Sequence, residues 1–396
     1  MTNWLVKTFI RDAGNGEDPA VRQRYGLLSG IVGILLNLCL SAGKFLAGVL
    51  TGSIAVTADA FNNLSDAGSS VVTLAGFHMA AKKADDDHPF GHGRIEYLSG
   101  LVVAVAILLV GLELVKSSLE KILAPEAVSF SWLSVGILAA AIIVTVKLWM
   151  AAFNKDLSRR IGSAAMAATA TDSLSDVVAT SAVLLGTLVG RFSGLRIDGW
   201  VGILVAAFIL RAGWGAAKDT LDPLLGQSPD PSLVQGIQET VLSHPEITGI
   251  HDLVIHDYGP GRSMMSLHAE VPMDADVLEV HDIIDNVERE LKEKFHTEAV
   301  IHMDPIATHD PAVNAMRGQV AGLVREIDPA MTIHDFRMTA GPDHQNLIFD
   351  TVVPYQCALT DEEVKAAIAQ KAGELEGGPY FTVVSIDRAY AEMPEP

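Results

Sequence analysis

Cysteine is nearly absent: Cys39 and Cys357 stand far apart in unlike contexts, so neither a disulfide framework nor a thiolate metal site follows. The opening stretch "MTNWLVKTFIRDAGNGEDPAVRQRYG" has no apolar core followed by a small-residue cleavage site, so no signal peptide is expected. Basic residues are scarce in the later part, where residues 227 to 396 carry 10 Lys/Arg against 30 Asp/Glu. Residues 1 to 226 balance at 18 against 18, so the whole formal charge of -20 sits beyond them. With no basic stripe, nucleic acid is excluded as a partner, and an acidic, solvated domain that handles cations fits better. Polar residues are also too few for an ordinary soluble protein: 49% of the 396 residues are hydrophobic. A membrane protein with two or more domains is the natural expectation.

Six stretches approach the ~20 apolar residues that cross a ~30 Å hydrocarbon layer. They run from about 26 to 50, 53 to 80, 97 to 119, 131 to 153, 163 to 189 and 199 to 217. "LVVAVAILLVGLELV" and "VGILAAAIIVTV" are the plainest; others carry Asp, Asn or Lys. Arg22, Arg24, Lys82, Lys83, Arg94, Lys155, Arg159 and Arg160 fall on one side, against Lys121, Arg191 and Arg196 on the other. That bias orients both termini to the cytoplasm.

Four segments follow: a cytoplasmic lead over 1–25, a six-helix transport domain over 26–225, and two soluble modules over 226–307 and 308–396. After "LDPLLGQSPDPS" the texture changes to alternating strands with an amphipathic helix, "LEVHDIIDNVERELKEKF", which reads as a small α+β module. It occurs twice: "IHDLVIHDYGPGRSMMSLHAEVP" recurs as "IHDFRMTAGPDHQNLIFDTVVP", and "AVIHMD" as "VVSID".

An ionisable group inside a spanning helix costs at least ~2.5 kcal/mol on insertion scales and by default faces a cavity or a partner. "TADAFNNLSDAG" sets Asp59, Asn62 and Asp66 on one helical face, and "ATATDSLSDVVAT" sets Asp172 and Asp176 at i and i+4. Two such pairs make a four-ligand cage. Packed carboxylates repel and take up protons, whereas a divalent cation binds the ionised forms, so exchange of metal for protons is chemically natural. Taken singly, each of these residues reads better as a packing polar group or a cap; the four together do not.

"KADDDHPFGHGR" sets Asp85, His88 and His92 at spacings of three and four, a carboxylate with two imidazoles. A capped polar turn is the other reading. The first soluble module adds His251, His268, His281, His302 and Asp304, the last two alternating on one strand. His256 has no place in that pattern.

At these residues the chain, from 20 to 307, resembles the cation diffusion facilitator family. The resemblance implies a homodimer of six-helix subunits in a bacterial inner or plasma membrane, exporting a divalent transition metal in exchange for protons. A ferredoxin-like cytoplasmic domain that binds metal and closes the dimer is implied too. No prosthetic group or enzymatic activity is implied. By position, the transport site is Asn62, Asp66, Asp172 and Asp176; the loop site is Asp85, His88 and His92; the cytoplasmic site is His251, His268, His281, His302 and Asp304. Arg94 and Asp222 match positions that pair at the membrane surface in relatives. Zinc-transporting members commonly present histidine where Asp172 stands. The oxygen-only set resembles the manganese branch and suits a harder ion, with zinc and iron(II) as alternatives. The second module is a departure, its counterparts being His334, Asp350, Glu363, Ser385 and Asp387, a degraded copy.

Two other classes compete with an exporter. An intramembrane metalloenzyme needs an open coordination position on its metal, and no H-E-x-x-H occurs. A metal sensor needs an output motif, and none is found.

Overall fold

The computed structural model describes residues 2–10, 13–16, 18–51, 54–123, 133–193, 198–307, 309–340 and 344–388. Within these, the side chains of 19, 47–51, 54–62, 133–141, 183, 184, 186–188, 190–193, 198 and 340 lie outside the description. The chain divides into two units, Met1–Gln227 with Asp257–Arg262, and Ser228–His256 with Ser263–Pro396.

The first unit is helical. After the short α1 (Thr2–Phe9) come α2 (Pro19–Thr51), α3 (Ile54–Ala80), α4 (Ile95–Leu123), α5 (Leu133–Ile161), α6 (Ala164–Ser193) and α7 (Asp198–Leu225). At ~1.5 Å per residue, each of α2 to α7 is long enough to cross a bilayer. Among the described residues, three are also apolar enough: Ala20–Leu46 within α2, all of α4, and Gly199–Leu225 within α7. Helices α3, α5 and α6 match them in length but carry Asp66, Lys147, Asp172 and Asp176.

Small residues let these helices approach closely. A side chain on Gly26, Gly30 or Gly33 of α2 would strike Phe77, Leu74 or Ser70 of α3. Near one end, Arg22 is buried and pairs with the equally buried Glu96, Nη2 to Oε1 at 2.7 Å. The same guanidinium donates to the carbonyls of Gly16 and Ile161, so one cation joins α2, α4 and the end of α5.

The second unit repeats one order of elements. Helix α8 (Pro231–Val241), β1 (Gly249–Asp257), β2 (Ser263–Pro272), α9 (Val277–Phe295) and β3 (Thr297–Ile306) are followed by α10 (Pro311–Ile327), β4 (Thr332–Ala340), β5 (Gln345–Val352), α11 (Asp361–Ala372) and β6 (Tyr380–Asp387). Two three-stranded sheets result, ordered β1-β2-β3 and β4-β5-β6. β2 runs parallel to β3 and β5 parallel to β6, a pairing that requires the crossover helices α9 and α11. On α9 the buried residues are Val280, Ile284, Val287 and Leu291, the helical period that seats one stripe on the sheet. On α11 they are Val364, Ile368 and Ala372. Helices α8, α9, α10 and α11 each start on a side chain that accepts from the first turn: Asp230, Asp276, Asp310 and Thr360.

The halves have separate cores, one around Ile237, Leu267 and Val287, the other around Val324, Leu347 and Phe349. A polar tie joins them. Glu270 of β2 is nearly fully buried, and Arg317 of α10 donates to both of its oxygens at 3.1 and 3.0 Å. Replacing Arg317 by Met should therefore cost about 1–3 kcal/mol, because a buried acceptor loses its donor. The unfolding midpoint of the detergent-solubilised chain should drop; an unchanged midpoint would mean that Glu270 needs no partner.

Candidate metal centres

The apolar helices bring three acids together. Asp66 comes from α3, and Asp172 and Asp176 from successive turns of α6; one oxygen of each lies within 4.8 Å of the others. A buried hydroxyl pair, Thr73 Oγ1 to Thr169 Oγ1 at 3.1 Å, holds α3 against α6 one to two turns along. The amide of Asn62, the fourth expected ligand, lies outside the described residues, as does the carboxylate of Asp59.

A residue not singled out from the sequence completes the cluster. Lys147 of α5 is 1% exposed, and its Nζ lies 2.8 Å from Asp66 Oδ2 and 2.6 Å from Asp176 Oδ2. When ionised, three carboxylates beside one ammonium carry a net negative charge in a low-dielectric setting, which favours an added cation. The signal for Lys147 was present: an ionisable residue inside "VTVKLWM" has the same claim to a pathway as an aspartate.

The loop between α3 and α4 gathers Asp85, His88 and His92 as its spacing predicts, with one ligand atom of each within 4.8 Å. Asp85 Oδ1 accepts from the His88 backbone N–H at 2.8 Å, closing the turn, and that bond pulls the carboxyl below its usual range. His92 Nε2 lies 3.5 Å from Asp85 Oδ2, while its Nδ1 faces the Lys83 carbonyl at 3.2 Å. An Nδ1–H donated to that carbonyl leaves the Nε2 lone pair for a metal.

In the second unit, three of the five predicted ligands converge on a fourth, Asp304. Its Oδ2 lies 2.8 Å from His268 Nδ1 and 3.1 Å from His251 Nε2, and its Oδ1 3.2 Å from His302 Nε2. The parallel register that sets His268 opposite His302 makes this possible. His281 is not brought in: it stands exposed on α9, facing Asp285 at 3.7 Å. His256, outside that pattern, is exposed. Burial works against a charged His251, but the Asp252 hydrogen bond and the charges of Asp252, Asp304 and Glu270 outweigh it and raise its pKa.

Of the second-module counterparts, Glu363 accepts from Thr360 N in the capping box of α11, and Ser385 pairs in register with Asp350. His334 and Asp387 keep the relation of His251 to Asp304, Nε2 to Oδ2 at 3.5 Å. Arg94 donates to the Asp257 carbonyl at 2.9 and 2.6 Å, and Asp222 lies 4.0 Å from Lys218.

Acids buried on long helices, with histidine–carboxylate clusters elsewhere, are the equipment of a membrane protein that carries metal cations. Residues 30–225 match the family described as the cation efflux transmembrane domain, and residues 229–306 the cation efflux protein cytoplasmic domain. The chain belongs to the cation diffusion facilitator family, whose members are divalent cation efflux transporters and not enzymes. An uncharacterized transporter of Methanocaldococcus jannaschii is 29% identical over 275 residues, which cover 69% of this chain and 96% of the relative. The manganese efflux system protein MneS of Bacillus subtilis is 27% identical over 282 residues, 71% of this chain and 96% of the relative. The cation-efflux pump FieF of Salmonella paratyphi A is 29% identical over 293 residues, 72% of this chain and 95% of the relative. Residues beyond 306 lie outside both family matches.

Proposed function

We propose that this efflux transporter is a manganese(II)/proton antiporter of a bacterial inner or plasma membrane, a homodimer of six-span subunits with both termini in the cytoplasm. The observation that carries the choice of metal is the oxygen-only acid cluster of Asp66, Asp172 and Asp176. Carboxylates suit Mn(II), whereas zinc favours nitrogen and sulfur in tetrahedral sites. The relative named for manganese efflux supports the same choice. Zinc or iron(II) is the alternative cargo.

In this reading Mn(II) enters from the cytoplasm, the helices rock in alternating access, and protons from outside displace the ion. Asp66, Asp172 and Asp176 carry cation and protons in turn, and Asn62 adds a neutral carbonyl. Lys147 holds Asp66 and Asp176 while no metal is bound. The Asp85–His88–His92 loop and the His251, His268, His302 and Asp304 cluster, which the ferredoxin-like domain at the dimer interface presents, bind further metal. Metal-by-metal uptake into inside-out vesicles with an internal pH dye tests the reading. Manganese entry coupled to alkalinisation of the lumen is expected, and zinc entry without manganese entry would overturn the assignment.

Exchanging Asp172 for His should raise the zinc-to-manganese flux ratio about tenfold, the equivalent of ~1.4 kcal/mol. An imidazole replaces a hard anionic oxygen and removes a negative charge that Mn(II) needs more than Zn(II) does. Transport by the variant should also weaken at acidic pH, since an imidazole titrates near ~6.5 and its protonated form repels a cation. Equal ratios in variant and wild type would mean that Asp172 does not choose the metal.

A further inference from the structure

The faces of the two modules that carry the repeated "IHD" sequences meet. His251 and His334 stack with ring centroids 4.1 Å apart and planes at 28°. Both are deeply buried, 5% and 6% exposed. Asp252, which follows His251, lies between them: its Oδ2 is 3.3 Å from His251 Nδ1 and its Oδ1 3.8 Å from His334 Nε2. Asp387 of β6 lies 3.5 Å from the same His334 nitrogen. One ligand atom from each of His251, Asp252 and His334 lies within 4.8 Å of the others.

Three features distinguish this group from a packed polar seam. Neither ring nitrogen of His334 makes a hydrogen bond, nor does Nε2 of His251, which lies near Asp304 but off the line of a bond. Buried imidazole nitrogens without partners are costly unless something accepts their lone pairs. Next, Asp252 has φ +52, a left-handed backbone uncommon outside glycine, which turns its carboxylate off the alternation of the strand. Asp335, the same residue of the second "IHD", has φ +50, but its carboxylate is taken by Arg337 at 2.8 Å. Of the two equivalent acids, the one left for the histidines is Asp252. Finally, the set draws on both modules.

We propose that the seam between the two C-terminal modules is a divalent transition-metal site formed by His251, Asp252 and His334, with Asp387 within reach. Two imidazoles with carboxylates make a nitrogen–oxygen set suited to zinc- or cobalt-type ions, unlike the oxygen-only cluster of the helices. His251 also faces Asp304, and a neutral imidazole has a single lone pair to give. An ion at the seam and an ion at His268 and Asp304 therefore compete for the same ring, which gives the second module a hold on a ligand of the first. The site is independent of the transport reading, and a chain inactive in flux still answers the test below.

Co(II) titration of the purified full-length chain in detergent is the experiment. The His334→Cys chain should acquire a sulfur-to-cobalt charge-transfer band in the near ultraviolet that the wild type, with Cys39 and Cys357 intact, lacks. Adding Asp252→Asn should weaken the cobalt affinity of that band at least ~10-fold, the factor expected when an ordering or ligating carboxylate is lost. A His334→Cys chain that binds cobalt without the band overturns the proposal, as does a band indifferent to Asp252→Asn. Should His334→Cys fail to fold, anomalous scattering from cobalt-loaded wild-type crystals decides. A peak between His251 and His334 is expected, and its absence where the Asp304 cluster is occupied overturns the site.

Discussion

Transport by the Asp176→Asn chain should fall by about a hundredfold or more while the folded protein elutes unchanged on size exclusion. Asparagine keeps the shape of the side chain and removes the charge, so the variant probes electrostatics with little repacking. In the wild type, Asp176 shares the Lys147 ammonium with Asp66 and lies within ligand distance of Asp172. Removing one member of a buried charge group costs about 3–5 kcal/mol, and each ~1.4 kcal/mol is a factor of ten in affinity. The loss falls on the metal-bound state, because Mn(II) gains from every anionic oxygen, whereas the amide offers only a carbonyl dipole. Asp66→Asn should behave alike. Near-normal flux by either variant would remove the helical cluster from the transport path.

The Lys147→Met chain should bind Mn(II) at least ~10-fold more tightly and transport it more slowly. In the metal-free cluster the ammonium lies 2.8 and 2.6 Å from two of the oxygens that an incoming ion needs. On the proposed reading an ion displaces it, and its return helps to expel the ion; two like charges about 3–4 Å apart repel by several kcal/mol even at an effective dielectric of ~20. Methionine fills similar space without charge, so the ion meets no rival and no force drives it out. If the transporter is the proposed antiporter, protons alone then neutralise the carboxylates during the return step, and more of them should be counted per manganese. Binding by calorimetry and flux in proteoliposomes separate the two effects. Unchanged affinity with unchanged flux would make Lys147 a structural counter-charge only.

What could be read in advance follows the range over which each feature is built. Asp172 and Asp176 share a helix, and Asp85, His88 and His92 a single turn, so spacing alone brings their side chains together. No spacing signals the role of Lys147, because its partners lie on α3 and α6; within its own helix it looks like a break in hydropathy. His281 shows the opposite: a census of histidines cannot say that α9 turns it to solvent while Val280 and Ile284 face the sheet. The duplicated module was visible as a repeat. That its "IHD" lies against the first copy was not, since the repeat carries no information about which faces pack. Six apolar stretches predict six long helices, and α2 to α7 supply them; among the described residues three also have the composition of a membrane span.

The glycines of α2 bear on how any motion is divided. With Gly26, Gly30 and Gly33 seated against Phe77, Leu74 and Ser70, the two backbones have no clearance for one helix to slide along the other. Asp66 sits on the same helix, one turn before Ser70. On the alternating-access reading proposed above, whatever shifts that aspartate carries α2 with it, so the moving part is a pair of helices and its hinge lies outside their seam.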